Sequence, residues 1–460
     1  MSAYLVGRGY KVNETALAII QACDDWWSNR AVDGFHSREN LNGIKTTLSR
    51  MNFAKRCCAD DANLCEIISI APETETLQPV IDEITRKNRF DVRYREQLEK
   101  TSATGTVGAY IYLKNADYFQ QADGSTTIKG GQIKINYVDA DCTIPLTVEN
   151  HEVIECAFAS TTTVKTKEKT TLVIFTINEG GNYQAETVYF NDKGQELKGE
   201  GQTITLGPVK PFSIMHNAEV NNLDNMEGYG LPKIYNNIPY FKAIDLCFAL
   251  LYGDLNKGDK LVFLNELLAC IATDENGMAT LTPKQKEIFV LLGRELPTEK
   301  SIVQEYNPEI RVETLTKAFE LILSLISMGF GYGTRKYKFE NGEIQTATEY
   351  IGERQDEMQE LNKQRKQATD YITDIIHAAL WFSNAFQGTN YNTEEPLKIE
   401  FDDSYIEDKQ SKLESMRADA LSFPGIPELT VQYLILKYNF PEEEARKLVG
   451  ATAEDEEEED

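Results

Sequence analysis

Residues 310–386 constrain the fold more than any other segment, because an apolar helical pattern, a glycine-broken loop and a much longer helical pattern follow one another there. The first pattern has apolar residues at helical spacing, namely Val312, Leu315, Ala318, Phe319, Ile322, Leu323 and Ile326. It ends at Gly329, Gly331 and Gly333. The order of these patterns predicts a loop held between two helices.

A basic and aromatic segment follows the glycines and predicts a hairpin. Its cations Arg335, Lys336 and Lys338 are interleaved with Tyr337 and Phe339. The dipeptide Asn341-Gly342 comes next, and this dipeptide favours the tight turns that close β-hairpins.

A capping box marks the start of the second helix. The hydroxyl of Thr346 is expected to accept a hydrogen bond from a free backbone N–H, and Glu349 is expected to reach back to another. The apolar positions that follow run for nearly forty residues with Gly352 as the one breaker, and include Ile351, Met358, Leu361, Ala368, Ile372, Ile375, Ala379 and Phe382.

These features together resemble the portal proteins of tailed bacteriophages, of the type common in phages of Gram-positive bacteria. The Thr-Ala-Thr-Glu step at 346–349, which opens a long helix, is one recurring feature of that family. Further matches lie in the same order at 53–70, 82–112, 133–140, 229–232 and 401–404. The resemblance therefore covers most of the chain.

The resemblance implies an α+β portal fold with eight segments. They are the wing at 1–231 (N-terminal helices and then a β-rich region), the first stem helix at 232–258, a small α/β clip at 259–311, the second stem helix at 312–328, the tunnel loop at 329–345, the long wing helix at 346–390, the helical crown at 391–450 and a disordered acidic tail at 451–460. Stem residues by this resemblance include Phe241, Ile244, Phe248, Leu315, Phe319 and Ile322.

It also implies partners and a location. Twelve copies would form a ring at one capsid vertex, through which double-stranded DNA enters and leaves. The clip would dock the large subunit of the terminase motor and later the head–tail adaptor. The major capsid protein and a scaffolding protein are further expected partners, and the protein is expected in the virion and, during assembly, in the host cytoplasm.

The residue patterns agree with a mixed α and β architecture. Helical spacing predicts helices within 11–70, over 79–101, over 232–255 and in three short pieces of 403–449. Between 105 and 214 the sequence changes to short runs separated by turn signals, which predicts strands at 109–113, 133–138, 154–159, 171–177, 183–190 and 203–206. Shorter strand-like runs lie at 261–264, 287–292 and 301–306. No apolar run reaches the ~18 residues that span a bilayer, so no membrane partner is expected.

The formal charge of −26 is concentrated at the C-terminal end, where residues 391–460 contain 20 acidic and 7 basic residues, a net of −13. Twelve copies at −26 each would carry −312, and acidic walls would keep a duplex from adhering to a channel. Arg335, Lys336, Lys338 and Asn341 are the candidates for contact with DNA phosphates at the tunnel loop. The alternative is a solvated hairpin, in which these cations pair with Glu340 and Glu343.

Catalytic and metal chemistry is not expected. The sequence has no GxxxxGK[ST] phosphate loop, GxSxG elbow or HExxH pair, so the motor must be a separate protein. The acidic pairs Asp24-Asp25, Asp60-Asp61 and Asp402-Asp403, and the spaced pair Asp139 and Asp141, have no accompanying ligands at a telling spacing. The four histidines and eight cysteines are scattered. We therefore expect neither an enzyme nor a cofactor.

One alternative of a different class stays open at this point. A capsid-associated, β-rich interaction protein could use its long helices for subunit contacts and never surround DNA. End-on images of the purified protein distinguish the two hypotheses, because only a portal forms rings with a central hole.

Overall fold

The computed structural model of the chain is a mixed helix and sheet structure. It describes residues 1–39, 43, 45–120, 126–164, 167–257, 261–265, 289–292, 303–306, 310–334, 336–337, 347–402, 409–423, 426–438, 440 and 442–449. Helices account for 47% and strands, in several small sheets, for 25%, which confirms the α+β class.

Eleven α-helices are defined within this described part of the chain. They are α1 (Ser2–Gly7), α2 (Glu14–Trp27), α3 (Phe53–Asn63), α4 (Gln78–Asn88), α5 (Phe90–Thr104), α6 (Lys233–Lys257), α7 (Val312–Gly329), α8 (Ala347–Phe382), α9 (Lys409–Ser422), α10 (Pro427–Tyr438) and α11 (Glu442–Val449). Within the described helices, none combines the length and the apolar character needed to cross a bilayer.

The described strands number seventeen. They are β1 (Ser37–Glu39), β2 (Lys45–Thr47), β3 (Ile67–Pro72), β4 (Thr106–Lys114), β5 (Asp117–Gln120), β6 (Thr126–Lys129), β7 (Gln132–Asp139), β8 (Thr143–Glu149), β9 (Glu152–Val164), β10 (Lys167–Ile177), β11 (Tyr183–Phe190), β12 (Gln202–Thr205), β13 (Phe212–His216), β14 (Leu261–Asn265), β15 (Phe289–Leu292), β16 (Val303–Tyr306) and β17 (Leu397–Phe401). All six strands predicted between 105 and 214 are confirmed, and β5, β6, β8 and β13 were not predicted.

The chain divides into two compact units. The larger contains Met1–Asn63 and Pro79–Glu395, and the smaller contains Leu64–Gln78 together with the described part of the chain from Pro396 onward. In the smaller unit, β3 pairs antiparallel with β17. This unit also contains α9, α10 and α11, which confirm the three short helices predicted there.

The β-rich region of the larger unit is built from two sheets that share an aromatic core. The first is antiparallel in the order β12-β11-β10-β9-β8, and the second has the order β13-β4-β7. Phe158 and Phe175 come from the first sheet and Phe212 from the second, and the three rings lie 5.5–6.0 Å apart. Gly108 allows this approach, because a Cβ there would lie 2.5 Å from the Phe158 ring.

The helices α6 and α7 form an antiparallel hairpin in the larger unit. Near one end of the hairpin the Phe241 and Phe330 rings are 6.1 Å apart. Near the other end Arg311 donates hydrogen bonds of 2.8 and 2.9 Å to Asp254. In sequence, the small sheet β15-β14-β16 lies between the two helices, with β14 parallel to β15 and antiparallel to β16. The glycine-rich segment and α8 follow α7.

Two predictions near the N-terminus are wrong. The predicted helical character of 11–70 holds for α2 and α3, but β1, β2 and β3 are strands, and β3 is a strand because it pairs with a partner more than 300 residues away. The single helix predicted over 79–101 is broken between α4 and α5, where Arg89 has a φ of 52°. The left-handed conformation of Arg89 interrupts the helical backbone, so α4 ends before it and α5 begins after it.

Candidate nucleic-acid interface

The described base of the predicted tunnel loop, residues 329–334 with Lys336 and Tyr337, is seated against α6 and α8. Gly331 and Gly333 have φ values of +82° and +69°, a region that glycine adopts without strain. A Cβ at Gly329 would lie 1.8 Å from Oδ1 of Asn237, and one at Gly331 would lie 3.1 Å from Cγ of Glu360. The glycines are therefore required here for close packing as well as for turning.

A buried lysine lies at the centre of this base. Lys233 is the first residue of α6, and its side chain has no solvent exposure. Its Nζ lies 2.8 Å from Oδ1 of Asp61 on α3 and 3.0 Å from Oε1 of Glu360 on α8. One ammonium group thus joins three helices.

The loop base is bonded to the same centre. The hydroxyl of Tyr332 donates a 2.7 Å hydrogen bond to Oδ1 of Asp61. Asn237, one turn after Lys233, donates from Nδ2 to the carbonyl of Gly329 at 3.1 Å. The segment that leaves α7 is therefore held to α3 and α6 by buried polar contacts.

The charges of this centre stabilise one another. Burial alone lowers the pKa of Lys233, but the carboxylates of Asp61 and Glu360 outweigh burial and raise that pKa above its ordinary value. Burial raises the pKa of the neighbouring Glu219, and Lys233 opposes that rise. Burial also raises the pKa of Tyr332, so its phenol stays protonated and donates.

Lys336, the one predicted DNA-contacting cation whose position is described, is bonded inward in this chain. It forms an ion pair with Glu357 of α8, and its side chain is only 13% exposed. Its Nζ also lies 4.8 Å from the centre of the Tyr332 ring, within the range of a cation–π contact. The pairing partner lies on α8 rather than in the hairpin. Contact of Lys336 with DNA stays a prediction.

The remaining predicted residues of this region lie outside the described part of the chain. Arg335, Lys338, Asn341 and Thr346 are not among the described residues. The backbone of Glu349 belongs to α8, and its side chain is likewise not described. The hairpin and the capping box therefore stay predictions. The helix expected to begin there does exist, as α8.

The predicted stem residues lie inside the helical hairpin. Phe241 and Ile244 of α6 are buried, as are Leu315 and Phe319 of α7, whereas Phe248 and Ile322 are half-buried. The Phe241 ring also stacks on Trp26 of α2 at 6.1 Å. These side chains stabilise the hairpin and its seat on α2.

A second buried polar contact fixes the middle of α6. The His36 ring accepts a 2.9 Å hydrogen bond at Nδ1 from the Val32 N–H, so Nε2 carries the proton in the neutral ring. Nε2 lies 3.0 Å from Oδ2 of Asp245, whose other oxygen accepts from the Met51 N–H at 2.8 Å. This contact joins α6 to the segment before α3.

The acidic pairs noted in the sequence take structural roles where they are described. Asp61 binds Lys233, and Asp60 accepts from Arg56 at 2.9 Å. Asp139 pairs with Lys100. Over the described ranges, histidine, cysteine and acidic side chains nowhere gather in threes with metal-binding geometry.

Sequence reasoning missed Lys233, Glu360 and Tyr332 as parts of this site. Lys233 follows Pro232 at the start of a helix, a position where lysine is normally solvated. The sequence did contain one signal: Lys233 stands alone in an otherwise uncharged stretch, because the next cation after it is Lys242. If such a lone cation is buried, it needs a carboxylate partner from elsewhere in the chain.

Comparison with known proteins adds no family assignment. No protein-family model matches this sequence, and no curated protein matches it significantly.

Proposed function

We propose that this chain forms the ring-shaped portal of a tailed bacteriophage, through which double-stranded DNA passes during packaging, retention and ejection. The observation that carries the proposal is the antiparallel hairpin of α6 and α7. A small sheet is inserted at one end of it, and a glycine-rich loop followed by a 36-residue helix leaves the other end. This is the order of parts that the sequence resemblance implies for clip, stem, tunnel loop and wing helix.

The exposed apolar side chains of the hairpin support assembly into a ring. They are Leu250, Tyr252 and Leu255 on α6 and Val312, Leu321 and Met328 on α7. Such side chains on one structural element of an acidic protein favour burial against another protein surface. In a ring, each hairpin would bury them against its two neighbours.

The inserted sheet supports a docking role. Among the described residues it has three strands, with β15 and β16 at its edges, and a sheet of so few strands gains stability by pairing or packing against another surface. Pairing of an edge with a neighbouring copy would satisfy its backbone groups. By the same proposal, the large terminase subunit and then the head–tail adaptor bind at this end, and the β-rich region faces the major capsid protein and the scaffolding protein.

The mechanism in this proposal is geometric. The buried contacts of Lys233 and Asn237 hold the loop base in place, so that the following residues extend from a rigid support. Twelve such loops would form a collar around the duplex. The net charge of −26 per chain limits lasting attachment of DNA, because acidic walls repel phosphates. Only the lysines and arginines that contact DNA add affinity, by releasing counterions.

Electron microscopy of the purified protein tests the proposal. We expect negatively stained particles to show end-on rings with a central hole. Leu321, which is 64% exposed on α7, provides a variant: Leu321→Glu is expected to prevent ring formation while the chain stays folded. Val220→Glu, at a side chain that is 90% exposed, is the matched control and is expected to form rings. Compact monomers or solid oligomers of the unmodified protein would contradict the proposal and favour the capsid-associated alternative.

A second experiment separates the roles of the loop cations. Arg335→Ala combined with Lys338→Ala is expected to alter DNA retention or packaging and to leave ring assembly intact. Lys336→Ala is made separately, because it leaves the buried Glu357 without this partner and is expected to lower thermal stability as well. Unchanged packaging and retention in the double variant, and in a triple variant that adds Lys336→Ala to it, would refute the role of these cations.

A further inference from the structure

The corner between α4 and α5 forms an open concavity beside β7 that is lined by four cations. They are Lys87 at the end of α4, Arg89 between the helices, Arg93 in α5 and Lys134 in β7. Among the described residues that line it, none is a carboxylate. Four converging cations are unusual in a chain whose net charge is −26.

Specific hydrogen bonds hold this corner in shape. Asn88 at the end of α4 donates from Nδ2 to the Ile84 carbonyl at 2.8 Å and accepts at Oδ1 from the Ile135 N–H at 3.1 Å. Lys134 donates from Nζ to the Lys87 carbonyl at 2.8 Å. The end of α4 is thereby tied to β7, which places Lys134 beside the cations of the two helices.

The fold maintains a strained backbone here. Arg89 has a φ of 52°, which costs a non-glycine residue roughly 1–2 kcal/mol. It is also the N-cap of the 15-residue α5, and its side chain makes no capping hydrogen bond. The first N–H groups of α5 and the guanidinium of Arg89 therefore lie at the same corner.

The nearest carboxylates leave these cations available. Glu83 pairs with Lys87, Glu96 pairs with Arg93 at 2.7 Å, and Asp91 lies in the first turn of α5. Both pairs are about half exposed, and such pairs contribute little and are exchanged readily. Tyr137 also lines the concavity, but its hydroxyl is closed off from solvent and has no hydrogen-bond partner among the described residues.

We propose that this concavity is a binding site for a phosphate group. The planar guanidinium groups of Arg89 and Arg93 suit two oxygens of one phosphate, Lys134 and Lys87 add charge, and the N-terminal end of α5 favours an anion. The phosphate can belong to a nucleic-acid backbone or be free inorganic phosphate, since both present the same oxygens. This inference does not depend on ring formation.

The test uses a site variant and a control variant with the same change in charge. The site variant combines Arg89→Gln, Arg93→Gln and Lys134→Gln. The control combines Lys11→Gln, Lys193→Gln and Lys198→Gln, three exposed lysines elsewhere in the chain. Thermal unfolding is measured in phosphate and in chloride at matched ionic strength, and a short labelled DNA duplex is titrated by fluorescence anisotropy with and without added phosphate.

We expect phosphate to raise the unfolding temperature of the unmodified protein and of the control but not of the site variant. We expect the site variant to bind phosphate or duplex about tenfold more weakly or worse, as the loss of a charge-assisted hydrogen bond implies. Stabilisation without duplex binding assigns the site to free phosphate, whereas competition between phosphate and duplex assigns it to a nucleic-acid backbone. Equal behaviour of the site and control variants in both assays would overturn the proposal.

A single substitution tests the same site in case the triple variant does not fold. Arg89→Gly removes one cation and relieves the left-handed backbone, so the unliganded protein is expected to unfold at a higher temperature. The same variant is expected to lose most of the stabilisation by phosphate. Full retention of that stabilisation in Arg89→Gly would also count against the site.

Discussion

Replacement of Lys233 by methionine tests the buried charge centre beneath the loop base. Methionine keeps most of the volume of lysine and removes the ammonium group, so packing changes little and electrostatics change greatly. Asp61 and Glu360 then remain within the core, 9% and 6% exposed, without the cation that lies 2.8 and 3.0 Å away. The variant therefore measures the cost of leaving two buried carboxylates without their partner.

The size of the effect follows from that geometry. Removing one partner of a buried ion pair costs about 3–5 kcal/mol. The larger unit has about 380 residues, and at about 2.1 cal/mol/K per residue its unfolding entropy is about 0.8 kcal/mol/K. The expected fall in the unfolding temperature is therefore about 4–6 °C.

Scanning calorimetry measures this shift, and Lys363→Met is the matched control. Lys363 lies 3.3 Å from the other oxygen of Glu360 but is 59% exposed, so its loss is expected to cost less than about 1 kcal/mol, or about 1 °C. Addition of Asp61→Asn and Glu360→Gln to Lys233→Met should recover part of the loss. Equal shifts for Lys233→Met and Lys363→Met would refute the reasoning.

The pH dependence of this effect has a definite sign. The pKa of Lys233 is raised in the folded chain, so its stabilising contribution is complete below the ordinary lysine pKa of 10.5 and is lost only as the pH rises through the higher folded value. The difference in unfolding temperature between Lys233→Met and the unmodified protein should stay constant around neutral pH. A difference that disappears as the pH rises from neutral to 10.5 would contradict the burial of the ammonium group.

Two other substitutions test neighbouring features by thermal unfolding. Gly329→Ala should lower the free energy of unfolding by about 1–3 kcal/mol, because its Cβ would lie 1.8 Å from Oδ1 of Asn237. Gly253→Ala in the same hairpin, whose Cβ would meet nothing within 4 Å, should raise it by up to about 1 kcal/mol. Equal effects of the two substitutions would contradict the close packing at Gly329. Burial lowers the pKa of His216 from 6.5 to about 4, so the unfolded chain binds more protons and stability should fall by up to about 3 kcal/mol as the pH drops from 6.5 to 4. His216→Gln should reduce that pH dependence, whereas His151→Gln, at an exposed position, should leave it unchanged. The same pH dependence in both variants would contradict the assignment of the effect to His216.

The sequence predicted those elements whose pattern is local. Apolar spacing identified α6, α7 and α8, and turn residues separated the six strands that were predicted between 105 and 214. It failed where a distant partner decides the conformation, as for β3, whose Ile-Ile-Ser-Ile segment pairs with β17 across more than 300 residues. It also failed at Arg89, where a left-handed residue breaks a helix that propensity alone would continue.

The candidate site was predicted only in part, for a related reason. Glycines and cations in 329–338 mark a loop without reference to the rest of the chain. The residues that hold its base, Lys233, Asp61 and Glu360, are separated by more than 100 residues from one another, and each is an ordinary charged residue within its own helix. Only packing of α3, α6 and α8 turns them into one buried centre, and no local pattern carries that information.

Burial of cations at this centre would also matter for the proposed passage of a duplex. Lys233 and Lys336 neutralise carboxylates inside the fold, so neither is free to offset the negative charge of the surface. With a net charge of −26, we expect the surface to repel phosphate except at small groups of exposed cations, such as the proposed site around Arg89. Because every phosphate contact adds to the affinity and slows release, a protein that lets DNA slide past gains from keeping such contacts few and local.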